Sequence, residues 1–254
     1  MFRRHGADRS NRQNRLLAAY LAFIGGFVNS AGFVIIGTFT SHVTGNVGRL
    51  ASDVTTQQFG AALTALTMLI AFFLGAFLAS LIIESNVSGR SAHAYGSALL
   101  IEAWLLLSFT LVSSVAVAEH ARSNDLQAAI LCAAMGIQNS LVTRLSGAVV
   151  RTTHLTGVFT DIGIEAARWF RWWRNAISAG KRPPSAASAA DRPLAPKIIL
   201  LGTIAGTFAA GAMAGAASAT KLRQAAMLLP CAAVVACGSY AFWTGARIND
   251  ESRK

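Results

Sequence analysis

The side chains in this chain whose type and spacing suit chemistry are written twice. Gly26-x-x-Asn29-Ser30 is followed by His42-x-Thr44-Gly45, and Gly136-x-x-Asn139-Ser140 by His154-x-Thr156-Gly157. An imidazole exchanges protons near neutral pH, so His42 and His154 suit proton coupling as well as simple hydrogen bonding. Asn29 and Asn139 fall inside apolar runs, where an unpaired amide costs free energy and needs a partner. Either the amides pair structurally, or they flank a solute path.

Thr44 and Thr156 can cap a helix start, and the following glycine lets the chain turn tightly. Short helices are therefore expected at Asn46 to Ser52 and at Val158 to Ala167. If these re-enter a membrane, their first backbone N–H groups point at a site from opposite sides; otherwise each is a surface loop with an interfacial helix. The substrate-binding candidates are Asn29, His42, Thr44, Gly45, Asn46, Asn139, His154, Thr156 and Gly157.

Carboxylates add a second set. Asp53 and Glu165 occupy corresponding places after the two motifs, Asp161 lies one turn before Glu165, and Glu102 sits well inside an apolar run. These four are candidates for proton or ion coupling, because an intramembrane carboxylate marks a functional site by default. As exposed helix charges they would mean little. Two histidines with no clear third ligand predict no metal, and no phosphate-binding Gly-x-x-x-x-Gly-Lys-Ser/Thr loop is present, so no cofactor is expected. Ser41 beside His42 is too weak a signal for an intramembrane enzyme, since sequence adjacency does not put a nucleophile on its base.

These residues must be positioned by membrane helices. The chain is 54% hydrophobic and only 13% charged, with mean hydropathy +0.48, beyond what a soluble domain usually carries. Six stretches are long enough to cross a hydrocarbon core of about 30 Å: Leu16 to Phe39, Phe59 to Ile83, Tyr95 to Ala118, Leu126 to Val142, Ile198 to Thr220 and Ala225 to Ala246. They lack the alternation of a barrel strand. The three cysteines, Cys132, Cys231 and Cys237, fall within them and read as small core residues.

A third match, Phe72-x-x-Gly75-Ala76 with Phe208-x-x-Gly211-Ala212, keeps the order of the first. The expected fold is thus an all-α polytopic membrane protein. Six transmembrane helices form two inverted three-helix repeats, because an odd number of spans reverses the second copy, and re-entrant segments after helices 1 and 4 are an option. A cytoplasmic basic tail (1–15) precedes repeat 1 (16–118). A short periplasmic connector (119–125) leads to repeat 2 (126–246), and a cytoplasmic tail (247–254) follows. Repeat 2 carries a cytoplasmic insertion (166–197) that ends in a flexible linker from Lys181 to Ala195. The Gly202-x-x-x-Gly206 and Gly211-x-x-x-Gly215 spacings favour close helix packing inside the bundle, with a homo-oligomer as the alternative.

The net charge of +11 follows from topology rather than from a nucleic-acid partner. With both termini cytoplasmic, only Arg49, Arg122, Lys221 and Arg223 of the 22 Lys and Arg residues lie outside, the positive-inside bias of a multi-pass inner-membrane protein. The basic then apolar amino terminus has no convincing cleavage site, so it should stay as an anchor. Arg168, Trp169, Arg171, Trp172, Trp173 and Arg174 would on a helix separate cations from most aromatics, a lipid-interface segment.

The motifs around Asn29, His42-x-Thr44-Gly45-Asn46, Gly136-Ile137-Gln138-Asn139-Ser140 and Thr152-Thr153-His154-x-Thr156-Gly157 resemble the YoaK-like family of uncharacterised bacterial inner-membrane proteins, across essentially the whole chain. That resemblance implies six membrane helices and no substrate. The function expected from the residues is a small-solute transporter or channel, with proton coupling as an option. Membrane lipids and an unidentified solute are its partners. A structural or lipid-organising protein is the alternative, and no enzymatic activity is expected.

Overall fold

The computed structural model describes residues 10–85, 91–115, 120–150, 152–178 and 195–251. Among them are eight α-helices: α1 Asn11–Ile36, α2 Val43–Thr55, α3 Phe59–Glu84, α4 Ser91–Val115, α5 His120–Ser146, α6 Leu155–Ser178, α7 Ala195–Leu222 and α8 Leu228–Glu251. Five segments are long and apolar enough to cross a membrane: Asn11–Ile36, Phe59–Glu84, Ala92–Ser113, Asn124–Ser146 and Ala195–Gly245. The last holds α7, a 3-10 turn at Arg223–Met227 and most of α8. The chain is a multi-pass membrane protein. Its apolar side chains also face outward, most plainly along α3, where Leu63, Ile70, Phe73 and Phe77 are exposed.

Local chemistry sets the helix ends. Ser10 and Gln13 form a reciprocal capping box at the start of α1, and Gly37, at φ 77°, closes it by donating its N–H to the Phe33 carbonyl. That left-handed residue stops α1 at Ile36, short of the expected Phe39. Hydroxyls on outward faces bond their own helix, as Thr67 does to the Leu63 carbonyl at 2.8 Å and Thr203 to Ile199 at 2.7 Å. Neither hydroxyl is thereby stranded in lipid.

Two expected boundaries shift. The polar stretch at 119–125 is mostly the opening of α5, because helix begins at His120. The insertion at 166–197 is no separate element at its start: α6 runs unbroken through Ala166 to Ser178. The expected linker falls at 181–194, outside the described residues, while Ala195 begins α7.

Glycine decides how the helices meet. A Cβ at Gly26 would collide with the Phe208 carbonyl, and Cβ atoms at Gly211 and Gly215 with the carbonyls of Phe23 and Phe27. Thus α1 and α7 run in the same direction, backbone against backbone. On the other side, a Cβ at Gly136 would collide with the Phe72 carbonyl and one at Gly75 with that of Ala133. The Ser80 and Ser140 hydroxyls, 2.8 Å apart, show α3 and α5 also running in parallel.

By contrast α4 and α8 run in opposite directions, since Gly96 faces Phe242 and Gly245 faces His93. So do α1 and α5, which bring Gly25 to Gln138 and Gly32 to Leu131. The two halves of the α7 glycine pattern separate. Gly211 and Gly215 pack inside, whereas Gly202 and Gly206 meet nothing within 4 Å among the described residues, so the first spacing does not serve packing within the described bundle.

That contrast is measurable on one helix. Gly211→Val should lower stability in detergent by at least about 1–3 kcal/mol through overpacking, whereas Gly206→Val should sit near wild type; thermal unfolding of both variants reads the difference.

Candidate functional site

Each repeated motif closes on its own asparagine. Asn29 Oδ1 accepts three hydrogen bonds, from the Thr40 N–H at 3.0 Å, the Ser41 N–H at 3.1 Å and the Ser41 hydroxyl at 3.1 Å. In the second copy the Thr153 hydroxyl donates to Asn139 Oδ1 at 2.6 Å, and the Asn139 amide donates to the Met135 carbonyl at 2.8 Å. The bonds stay inside one motif. Asn29 stands seven residues before the end of α1 and Asn139 seven before the end of α5, about 10 Å at ~1.5 Å per residue. In both copies the loop therefore folds back beside its helix before the next one starts.

The next helix starts at histidine. Asn46 N–H donates to the His42 carbonyl and Val158 N–H to that of His154, so each histidine holds the position just before the helix. The expected threonine caps are displaced. Thr44 and Thr156 lie within the first turns of α2 and α6, and His42 makes no side-chain cap. Both helices also run longer than expected.

The side chains then divide by burial. His42, Thr44, His154, Thr156 and Gly157 are exposed, while Asn139 and Asn46 are buried and Asn29 and Gly45 half-buried. Gly45 has a local role, because a Cβ there would lie 2.7 Å from the His42 ring; a Cβ at Gly157 would meet nothing within 4 Å among the described residues. The His42 ring meets Phe39 edge-on at 6.3 Å.

The residues buried between α1 and α5 precede each histidine or neighbour each asparagine. A Cβ at Gly25 would lie 3.0 Å from Gln138 Oε1 and 3.2 Å from Thr153 Cγ2, and one at Gly32 would lie 3.0 Å from Thr40 Cγ2. Both Gln138 amide atoms and the hydroxyls of Thr40 and Thr152 are buried and lack a hydrogen-bond partner among the described residues. Thr40 and Gln138 thus form a polar seam where α1 meets α5, reached from the second loop by Thr153, the residue after Thr152. Sequence reasoning missed Thr40, Gln138, Thr152 and Thr153 as site residues, although they lie within or beside the motifs and are polar in apolar surroundings.

The carboxylates separate by partner. Glu165 is 1% exposed, and its Oε1 accepts from Arg168 Nη1 and from Lys197 Nζ, each at 3.0 Å. Two cations thus neutralise it and tie α6 to the start of α7. Asp53 pairs with Arg49 at 3.5 Å, one turn away on α2, and Asp161 is half-buried on α6. Glu102, fully buried on α4, has neither oxygen hydrogen-bonded among the described residues. Along α6, Trp169 and Trp173 stack at 6.2 Å with Phe170 beside them, all three exposed. Arg168, Arg171 and Arg174 are exposed as well, and Trp172 is half-buried.

Residues 17–240 match the family described as protein of unknown function DUF1275, and the chain belongs to it. No curated protein and no solved structure matches the chain.

Asn29→Ala leaves two N–H groups and one hydroxyl without their acceptor, so it should lower stability by roughly 1–3 kcal/mol. Asn29→Asp, which keeps the acceptor, should retain more of it. Unfolding of the two variants in detergent distinguishes them.

Proposed function

We propose that the chain is a small-solute transporter or channel of the bacterial inner membrane, grouped with the YoaK-like proteins, and that the solute passes along the α1–α5 seam. The observation that carries this is the set of buried polar atoms without partners, at Thr40, Gln138 and Thr152. Unpaired polar groups in an apolar interior cost free energy, which water or a polar solute in the seam would recover. Irregular backbone at membrane depth is tolerated where it lines such a path. The fold-back of both loops towards Asn29 and Asn139 supports reading them as re-entrant segments on opposite sides.

The architecture we infer has six crossings in two inverted repeats, with both termini cytoplasmic. Its support is the opposed direction of α1 and α5, and of α4 and α8, with glycine contacts of the same kind in both units. Glu102 is the acidic group best placed for proton or ion coupling, since Glu165 is already held by two cations. This reading includes no enzymatic activity: the Ser41 hydroxyl donates to Asn29. A lipid-organising role is the second reading, favoured by the exposed aromatic face of α6. Assembly into a homo-oligomer is compatible with either.

Two measurements test the proposal. In liposomes, solute flux across a substrate panel should fall in Gln138→Leu, and in His42→Ala or His154→Ala if histidine takes part. Flux unchanged in Gln138→Leu removes the seam, and no flux with any solute favours the lipid-organising role. Separately, cysteines at Thr44 and Thr156 should label from the periplasm and the cytoplasm respectively; labelling from one side removes the inverted repeats.

A further inference from the structure

The two units differ where their last helices meet their first. Helix α4 packs along α5, whereas its counterpart α8 touches α1 at only a few points. A groove of about 480 Å³ is left between α1, α7 and α8, lined by Leu16, Tyr20, Phe23, Phe27, Thr207 and Ala233 among others. Its length along α1, from Leu16 to Phe27, is about 16 Å at ~1.5 Å per residue.

The polar atoms of this wall are already used. The Tyr20 hydroxyl donates to the Ala233 carbonyl at 2.5 Å, and the Thr207 hydroxyl donates to the Thr203 carbonyl at 2.6 Å. Nothing is left to recognise a polar solute, so the groove suits an extended hydrocarbon chain. Its amino-terminal end supplies the opposite chemistry. Arg12 and Arg15 precede Leu16 and Ala19 by one turn each, on the face of α1 that lines the groove. Among the described residues neither guanidinium has a carboxylate partner, and Arg12 is exposed. Side chains on a helix lean towards its amino terminus, so both cations reach away from the apolar wall to headgroup depth.

We propose that this groove binds one anionic phospholipid, an acyl chain lying along Leu16, Tyr20 and Phe23 and the phosphate held by Arg12 and Arg15. The proposal rests on membrane placement alone and stands apart from the transport reading. Guanidinium is suited to phosphate because its N–H groups match two oxygens at once.

Native mass spectrometry of the full chain, released from vesicles of equal phosphatidylglycerol and phosphatidylcholine, tests it. Wild type should retain one phosphatidylglycerol per chain. Arg12→Gln and Arg15→Gln should each reduce that preference about fivefold, as expected for about 1 kcal/mol per surface cation. Ala19→Trp, which fills the groove, should abolish retention of either lipid, and Ala19→Leu, the milder filler, should weaken it. Equal retention of the two lipids by wild type overturns the proposal. So does a preference that survives the double Arg12→Gln, Arg15→Gln variant, or retention unaffected by both groove fillers. Loss of the preference on adding inorganic phosphate at the lipid concentration would identify a free-anion site and overturn it as well.

Discussion

Backbone contact between α1 and α7, and between α3 and α5, is the constraint on which the rest of this bundle depends. In lipid there is no hydrophobic gain from bringing two apolar helices together, so van der Waals fit must hold them. Gly26, Gly211 and Gly215 on one side, and Gly75 and Gly136 on the other, place no side-chain atom of their own at the crossing. The carbonyls of Phe23, Phe27, Phe208, Phe72 and Ala133 take that place. A shared glycine face fixes both the spacing and the rotation of each helix. That rotation turns Asn29 and Asn139, three residues beyond Gly26 and Gly136, towards the loops they hold.

With the asparagines so aimed, the loops have one place to close. Asn29 and Asn139 act as internal caps, drawing Thr40-Ser41 and Thr152-Thr153 back along their helices. The fold-back carries polar backbone and hydroxyls into a region that is otherwise apolar, and the seam between α1 and α5 follows. Its unpaired atoms set it apart from the outward hydroxyls of α3 and α7, which their own helices satisfy.

The two units share this scheme but are not copies in their surroundings. In the second, Glu165 binds Arg168 and Lys197 and so anchors a helix, α6, that carries an exposed face of tryptophan and phenylalanine. Among the described residues Asp53 pairs only within the shorter α2. In the first, α1 touches α8 at only a few points, among them the Tyr20 hydroxyl on the Ala233 carbonyl, and leaves the groove beside Tyr20.

Apolar run length and the sparsity of charge determined, from sequence alone, that this is a helical multi-pass membrane protein, because lipid leaves a long apolar backbone few other ways to pair its polar groups. The repeated Gly-x-x-Asn-Ser and Phe-x-x-Gly-Ala patterns marked the glycines that later proved to lie at the crossings. Tertiary structure alone decided which partners they meet, since a glycine records only the absence of a side chain. Likewise the sequence marked asparagine and histidine as special without separating their roles. Asn29 and Asn139 turn inward to hold loops and the histidines outward, a division set by helix rotation in the packed bundle. Gln138, Thr40 and Thr152 became site candidates, and Glu165 a clamped ion pair with Lys197 from thirty-two positions away, only when folding joined segments that sequence spacing leaves apart.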